Sequence, residues 1–215
     1  MVNYSYSIHK LNYFFRRYSL FLLVLLISLV VGIIVGSLSV KILSYGQKEV
    51  LLNYLGDFSG EVEKLIANRQ ILFKELILTN MRFVFVLWFL GLSIIGVIFI
   101  PLIIFLRGFI LGFTVGFLVD EMFFKGLLLA VIGIFPQNLF ILAALLLGSL
   151  FSLVFAFKLI LRVLSKEQPK HKFVTVFLKY SILMSISALL LIAAAVIEAY
   201  LTPLLVSLFS SLLGV

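Results

Sequence analysis

Residues 19–40, SLFLLVLLISLVVGIIVGSLSV, run for 22 positions without a charge. At 1.5 Å per residue such a helix is about 33 Å long, enough to cross a hydrocarbon core about 30 Å thick. Lipid offers no water to backbone N–H and C=O groups, so a segment placed there must satisfy them internally, which a helix does. Arg16 and Arg17 precede the run, as they would in a signal peptide. A signal core, however, is only about 7–15 residues long, and no Ala-x-Ala site follows. The stretch reads as a retained anchor with its N-terminal side in the cytoplasm.

The rest of the chain asks for the same solvent. Of 215 residues, 64% are hydrophobic and 12% are charged, against about 45–50% and about 25% in average globular chains. A soluble domain of this length has too little interior to hide that much apolar surface. The expected fold is an all-α polytopic membrane protein with about five transmembrane helices, a broken or re-entrant segment and one amphipathic extracytoplasmic helical region.

Residues 1–18 form a cytoplasmic N-terminus, 19–40 the first span, 41–82 an extracytoplasmic segment and 83–106 the second span, with a kink expected near Pro101. Residues 107–138 read as a short Gly-rich helix, crossing at about 109–123, followed by a re-entrant piece. A fourth span at 139–161 leads into a basic loop at 162–172. The last span begins at 173 and ends near 199, and an apolar tail runs on to 215. The net charge of +8 is concentrated at the two ends assigned to the cytoplasm: +3 in residues 1–18, and six bases against Glu167 in 158–179. Five crossings put both basic regions on the cytoplasmic side, as the positive-inside rule requires; four would not.

Within 41–82, Ser59 can cap a helix whose first turn carries Glu61 and Glu63. Val62, Leu65, Ile66, Phe73 and Leu76 then recur at roughly helical spacing with Lys64, Arg69 and Lys74 on other faces. About 40 residues cannot build their own core, so this stripe is a candidate partner-docking surface. Gly108, Gly112 and Gly116 form a ridge of small residues four apart, and Gly32 with Gly36 forms another. Such ridges let two helix backbones approach, within the chain or, as the alternative, in a homo-oligomer. Asp120 and Glu121 suggest a short outer turn in which Lys125 is their partner. Pro136, Gln137 and Asn138 open a membrane helix, where the amides can cap free backbone groups or line a polar pocket. Glu198 is an ionisable group in an apolar helix, hence either a functional group or a carboxylate reaching for the interface.

Several chemistries have no residues to support them. Cysteine is absent, which excludes disulfides and thiolate chemistry. His9 and His171 are distant from one another and lie in polar flanks. No Zn-protease helix, Ser/His/Asp set or Gly-rich phosphate loop is present. The expectation is a non-enzymatic protein with no cofactor and no metal. Nucleic acid is excluded as a partner because no soluble basic face exists to bind it; the lipid bilayer is the surrounding partner.

The runs Gly91-Leu-Ser-Ile-Ile-Gly96, Arg107-Gly-Phe-Ile-Leu-Gly-Phe-Thr-Val-Gly-Phe-Leu118, Phe135-Pro-Gln-Asn-Leu139 and Glu198-Ala-Tyr-Leu-Thr-Pro203 resemble the stage II sporulation protein M family over nearly the whole chain. That resemblance implies a protein of the mother-cell membrane at the sporulation septum in endospore-forming bacteria. It also implies a scaffold for stage II sporulation proteins D and P, which degrade septal peptidoglycan during engulfment. The wider superfamily carries a Pro-His-Gly motif followed by Glu, where this chain has Pro136-Gln137-Asn138 and Ile141. The alternative from another functional class is a permease or transporter subunit using the broken 120–138 region and Glu198.

Overall fold

The computed structural model describes residues 18–53, 69–164 and 173–213. Helix α1 (Ser19–Ser39) continues into a 3-10 turn at Val40–Ile42, and a short helical stretch covers 45–53. Helix α2 is Arg69–Gly91 and α3 is Gly96–Leu129. A π-helical turn, Ala130–Ile134, leads into α4 (Phe135–Leu164), and α5 is Phe173–Leu213. No strand occurs among the described residues. Among the described residues, four stretches are long and apolar enough to cross a membrane: Ser19–Ile42, Gly96–Leu128, Asn138–Leu164 and Phe173–Tyr200. The protein is an all-α polytopic membrane protein.

Helix α2 carries Lys74, Glu75 and Arg82 and lacks that apolarity, yet it does not leave the bundle. Trp88 Nε1 donates to Ser181 Oγ at 3.3 Å, Asn80 Nδ2 to the Leu191 carbonyl at 3.3 Å, and the Phe73 ring lies 6.3 Å from that of Tyr200. Descending numbers on α2 meet ascending numbers on α5, so the two are antiparallel along about 28 Å of helix. Helix α2 therefore runs beside the depth that α5 spans.

The stretch 83–106, expected as one span, is divided between α2 and α3 by a turn at 92–95. Successive i→i+3 bonds tighten the backbone there, among them Leu92 N–H to Phe89 and Gly96 N–H to Ser93. Helix α3 can start so close only because residue 96 is glycine; a Cβ there would overlap the Leu90 carbonyl. Helix α3 passes through Pro101 without interruption and runs regularly up to Phe123, where the crossing expected at 109–123 also ended; the helical residues 124–129 lie beyond a break.

Its one non-helical residue is Phe123, at φ 49° and ψ −122°. The chain doubles back at that point, and a Cβ on Gly126 would overlap the carbonyl of Leu118. Helix α5 exceeds expectation, since the tail beyond 199 stays helical to Leu213.

The core lies among α1 to α5 and centres on Leu25, Leu87, Ile100, Leu150, Leu153 and Leu191, all essentially inaccessible. Ile141 belongs to the same apolar cluster. The bundle has two ends. The proximal end holds Tyr18, the 92–95 turn and Lys158, whose ammonium sits 5.4 Å over the Tyr18 ring. The distal end holds the short 45–53 helix and Asp120.

Candidate functional site

The two glycine ridges meet each other. A Cβ on Gly32 would collide with the backbone at Phe105 and Phe109, and one on Gly36 with the backbone at Phe109 and Phe113. From the other side, Gly108 faces Leu29, Gly112 faces Ile33, and a Cβ on Gly116 would come within 3.0 Å of Ser37 Cα. Numbers rise together on both helices, so α1 and α3 are parallel, packed backbone against backbone. Small residues make this possible, and in lipid such contact takes the place of a hydrophobic drive. The seam is internal to the chain.

At the distal end Lys48 forms an ion pair with Asp120 and lies 3.8 Å from a Glu121 oxygen. The Asp120 carboxylate, by its hydrogen bond, holds the Lys48 ammonium above the usual lysine range. Lys125, which the sequence suggested as the partner of these acids, is exposed and pairs with neither among the described residues. The reason is topological. The 45–53 helix returns over the end of α3, whereas Lys125 lies beyond the reversal at Phe123.

Of the proposed docking stripe, Val62, Leu65 and Ile66 lie outside the described residues. Phe73 and Leu76 are on α2 and half-buried, and Phe73 rests against Tyr200 of the same chain. That ring is engaged internally and is not a free docking group.

Arg107 and Glu198 are both half-buried within spans. The guanidinium sits 5.4 Å from the centre of the Phe83 ring and is near enough to attract Glu198, though no ion pair joins them among the described residues. Among the described residues Arg107 Nε is fully buried without a hydrogen-bond partner. Arg107 ended a span in the sequence reading, so its place inside one was missed. An arginine followed by three glycines at four-residue spacing was the available signal, because it prolongs a single helix face through the charge.

A second polar group had no sequence signature at all. The Tyr180 hydroxyl lies 2.9 Å from the Trp88 carbonyl and 3.0 Å from Ser152 Oγ, and its ring stacks on Phe155 at 4.4 Å. Ser187 Oγ donates to the Ala144 carbonyl at 2.7 Å. Most of these buried hydroxyls bond within the bundle, as membrane interiors require; Ser149 Oγ has no partner among the described residues.

Pro136 lies in the first turn of α4, immediately after the π turn. Asn138 Nδ2 donates to the Ile134 carbonyl at 2.8 Å, so this amide caps the irregular backbone. For Gln137 the structure describes the backbone alone. Against this turn lies a cleft of about 330 Å³, walled by α1, α3 and α4. No group of three or more potential metal ligands occurs among the described residues.

No curated protein and no solved structure matches the chain. The family model described as Stage II sporulation protein M matches residues 23–203, a stretch reaching from α1 into α5 and containing both glycine ridges, the Arg107 helix, the Pro136 turn and Glu198. The chain belongs to the stage II sporulation protein M family and is a sporulation-related, multi-pass membrane protein.

Proposed function

We propose that this protein is a non-catalytic scaffold in the mother-cell membrane, positioning the septal peptidoglycan-degrading proteins D and P of stage II sporulation during engulfment. One observation carries the reading. Among the described residues the proximal end of the bundle holds Lys158, Arg162 and Lys179 and no carboxylate, while at the distal end Lys41, Lys48, Lys74 and Lys125 stand among Glu49, Glu75, Asp120 and Glu121. The sequence adjoining the proximal end adds Lys10, Arg16, Arg17, Lys166, Lys170 and Lys172, which gives that side the larger number of bases. By the positive-inside rule the proximal end faces the cytoplasm. The connector between Leu43 and Arg69 then starts and finishes outside, where wall enzymes operate. Family membership supports the setting, and the internally bonded polar core suits a rigid platform.

Because the chain has no cysteine, single cysteines at positions 57 and 168 can be tested with a membrane-impermeant thiol reagent on intact cells. Labelling at 57 and protection at 168 is the expected result; the reverse would invert the protein and remove the docking surface. Docking itself is tested by Leu65→Asp with Ile66→Asp, leaving Phe73 in place because its ring supports α5. The double variant should insert normally and lose co-purification of D and P. Full retention of both would overturn the assignment of this segment.

A transport role has one observation in its favour, the unpaired buried Nε of Arg107 in reach of the Glu198 field. It requires that Glu198→Gln abolish a flux across vesicles holding the purified protein. The scaffold reading expects no flux in either form.

A further inference from the structure

The cleft beside the π turn differs from the rest of the lipid-facing surface in being a built concavity. Ile33 and Ser37 of α1 and Val115 of α3 form one wall; Leu127, Val131 and Asn138 form the other. Its surface is almost wholly apolar, and the two polar side chains on it explain why. Ser37 Oγ donates to the Ile34 carbonyl at 3.0 Å and Asn138 Nδ2 to the Ile134 carbonyl at 2.8 Å. Both donors are turned into their own helices, so nothing in the wall is aimed at a polar solute.

The cleft measures about 330 Å³ and is a slot that a thin flexible chain can enter. Neither of the nearest cations lines the cleft itself, but toward its distal side Lys41 follows Ser37 by one turn and Lys125 precedes Leu127 by two residues, within reach of a headgroup whose chain lies in the slot. Both are exposed, and among the described residues neither pairs with a carboxylate, since Asp120 and Glu121 are taken by Lys48. An apolar slot opening beside two free cations at a span end matches a phospholipid with a negative headgroup: chain in the slot, phosphate at the rim.

We propose that this cleft binds one acyl chain of an anionic phospholipid, with Lys41 and Lys125 at its phosphate. Residue 88 is the sole tryptophan, so Trp88→Phe with Phe135→Trp places a single fluorophore on the cleft wall. The purified full chain is placed in phosphatidylcholine vesicles containing equal mole fractions of either brominated-chain phosphatidylglycerol or brominated-chain phosphatidylcholine. Phosphatidylglycerol should quench preferentially, and Lys41→Gln with Lys125→Gln should lower its relative association about thirtyfold, the order expected for two bases at a membrane surface. Lys41→Arg with Lys125→Arg keeps the charge and should keep the preference, which guards against a merely misfolded variant. Equal quenching by both lipids would reduce the cleft to ordinary bilayer contact. No quenching by either would mean that another protein chain covers it. Loss of preference in the arginine variant would remove the headgroup assignment. Each of these three results overturns the proposal.

Discussion

The hydroxyl of Tyr180 donates to the carbonyl of Trp88 across 2.9 Å. That carbonyl is free because the Leu92 N–H, which would have reached it in a continuing helix, bonds instead to Phe89 at 3.1 Å. A side chain from α5 thus caps the C-terminal end of α2. Since a carbonyl cannot donate, Tyr180 supplies its proton there, and Ser152 Oγ donates to Tyr180 at 3.0 Å.

Tyr180→Phe should therefore destabilise the bundle by about 1–2 kcal/mol, the cost of leaving a buried carbonyl unpaired. Tyr180→Ala, which also removes the ring stacked on Phe155, should cost about 3–5 kcal/mol. Thermal unfolding in a fixed detergent reads both, and equal losses in the two variants would show that the hydroxyl carries the whole effect.

Gly112→Leu should abolish folding, because any side chain there meets the Ile33 backbone and neither helix can yield locally; overpacking alone costs about 1–3 kcal/mol, and here the obstruction is main chain. Gly46→Ala is the control. Among the described residues nothing lies within 4 Å of a Cβ at that position, and the change should stay within about 0.5 kcal/mol. Size-exclusion profiles of the two variants should differ plainly.

Lys48→Met should lower the melting temperature at neutral pH, and the deficit should shrink on the alkaline side. The lysine is held above its ordinary 10.5 in the folded chain, chiefly by its bond to Asp120. A raised pKa contributes stability that is complete below 10.5 and is lost as pH rises through the higher folded value. Wild type and variant should converge above that point, and added salt should narrow the gap at every pH because the pair is exposed. A gap that persists unchanged at high pH would remove the ammonium from the explanation.

Phe123→Gly should stabilise the α3–α4 reversal by about 1 kcal/mol, since φ 49° with ψ −122° belongs to a region that glycine occupies freely and other residues enter only under strain. Phe123→Ala keeps the strain and should show no such gain. The pair of variants separates backbone relief from loss of the exposed ring.

The first anchor was legible almost to the residue, because an uncharged run longer than a bilayer admits one reading in any context. So were the last two long apolar helices, while most of the basic loop between them lies outside the described residues. The turn at 92–95 was not: Gly91-Leu-Ser-Ile-Ile-Gly96 contains neither charge nor proline, and nothing local distinguishes a bent apolar stretch from a straight one. Around Phe123 the charges Asp120, Glu121 and Lys125 signalled an outer turn and the end of a crossing, but the strained residue itself was not marked, as it is an aromatic where glycine would have announced it. Pairings across sequence distance were the least accessible. Lys48 is 72 residues from Asp120, and the nearer Lys125 was the natural guess from spacing alone. The glycine ridges were visible separately, but only the structure shows that they face one another in parallel.

That parallel seam has a consequence for how the chain enters the membrane. Two adjacent parallel helices need a return passage between them, and here the return is α2, whose Lys74, Glu75 and Arg82 give it little reason to leave water by itself. It is tied to α3 by the 92–95 turn and held against α5 by Asn80 and Trp88. A nascent chain ending at residue 91 should leave α2 at the interface, and one extended through α3 should draw it in as half of a hairpin. The least apolar helix is then a passenger, and the Gly32–Gly112 face is what completes its insertion from the far side of the bundle.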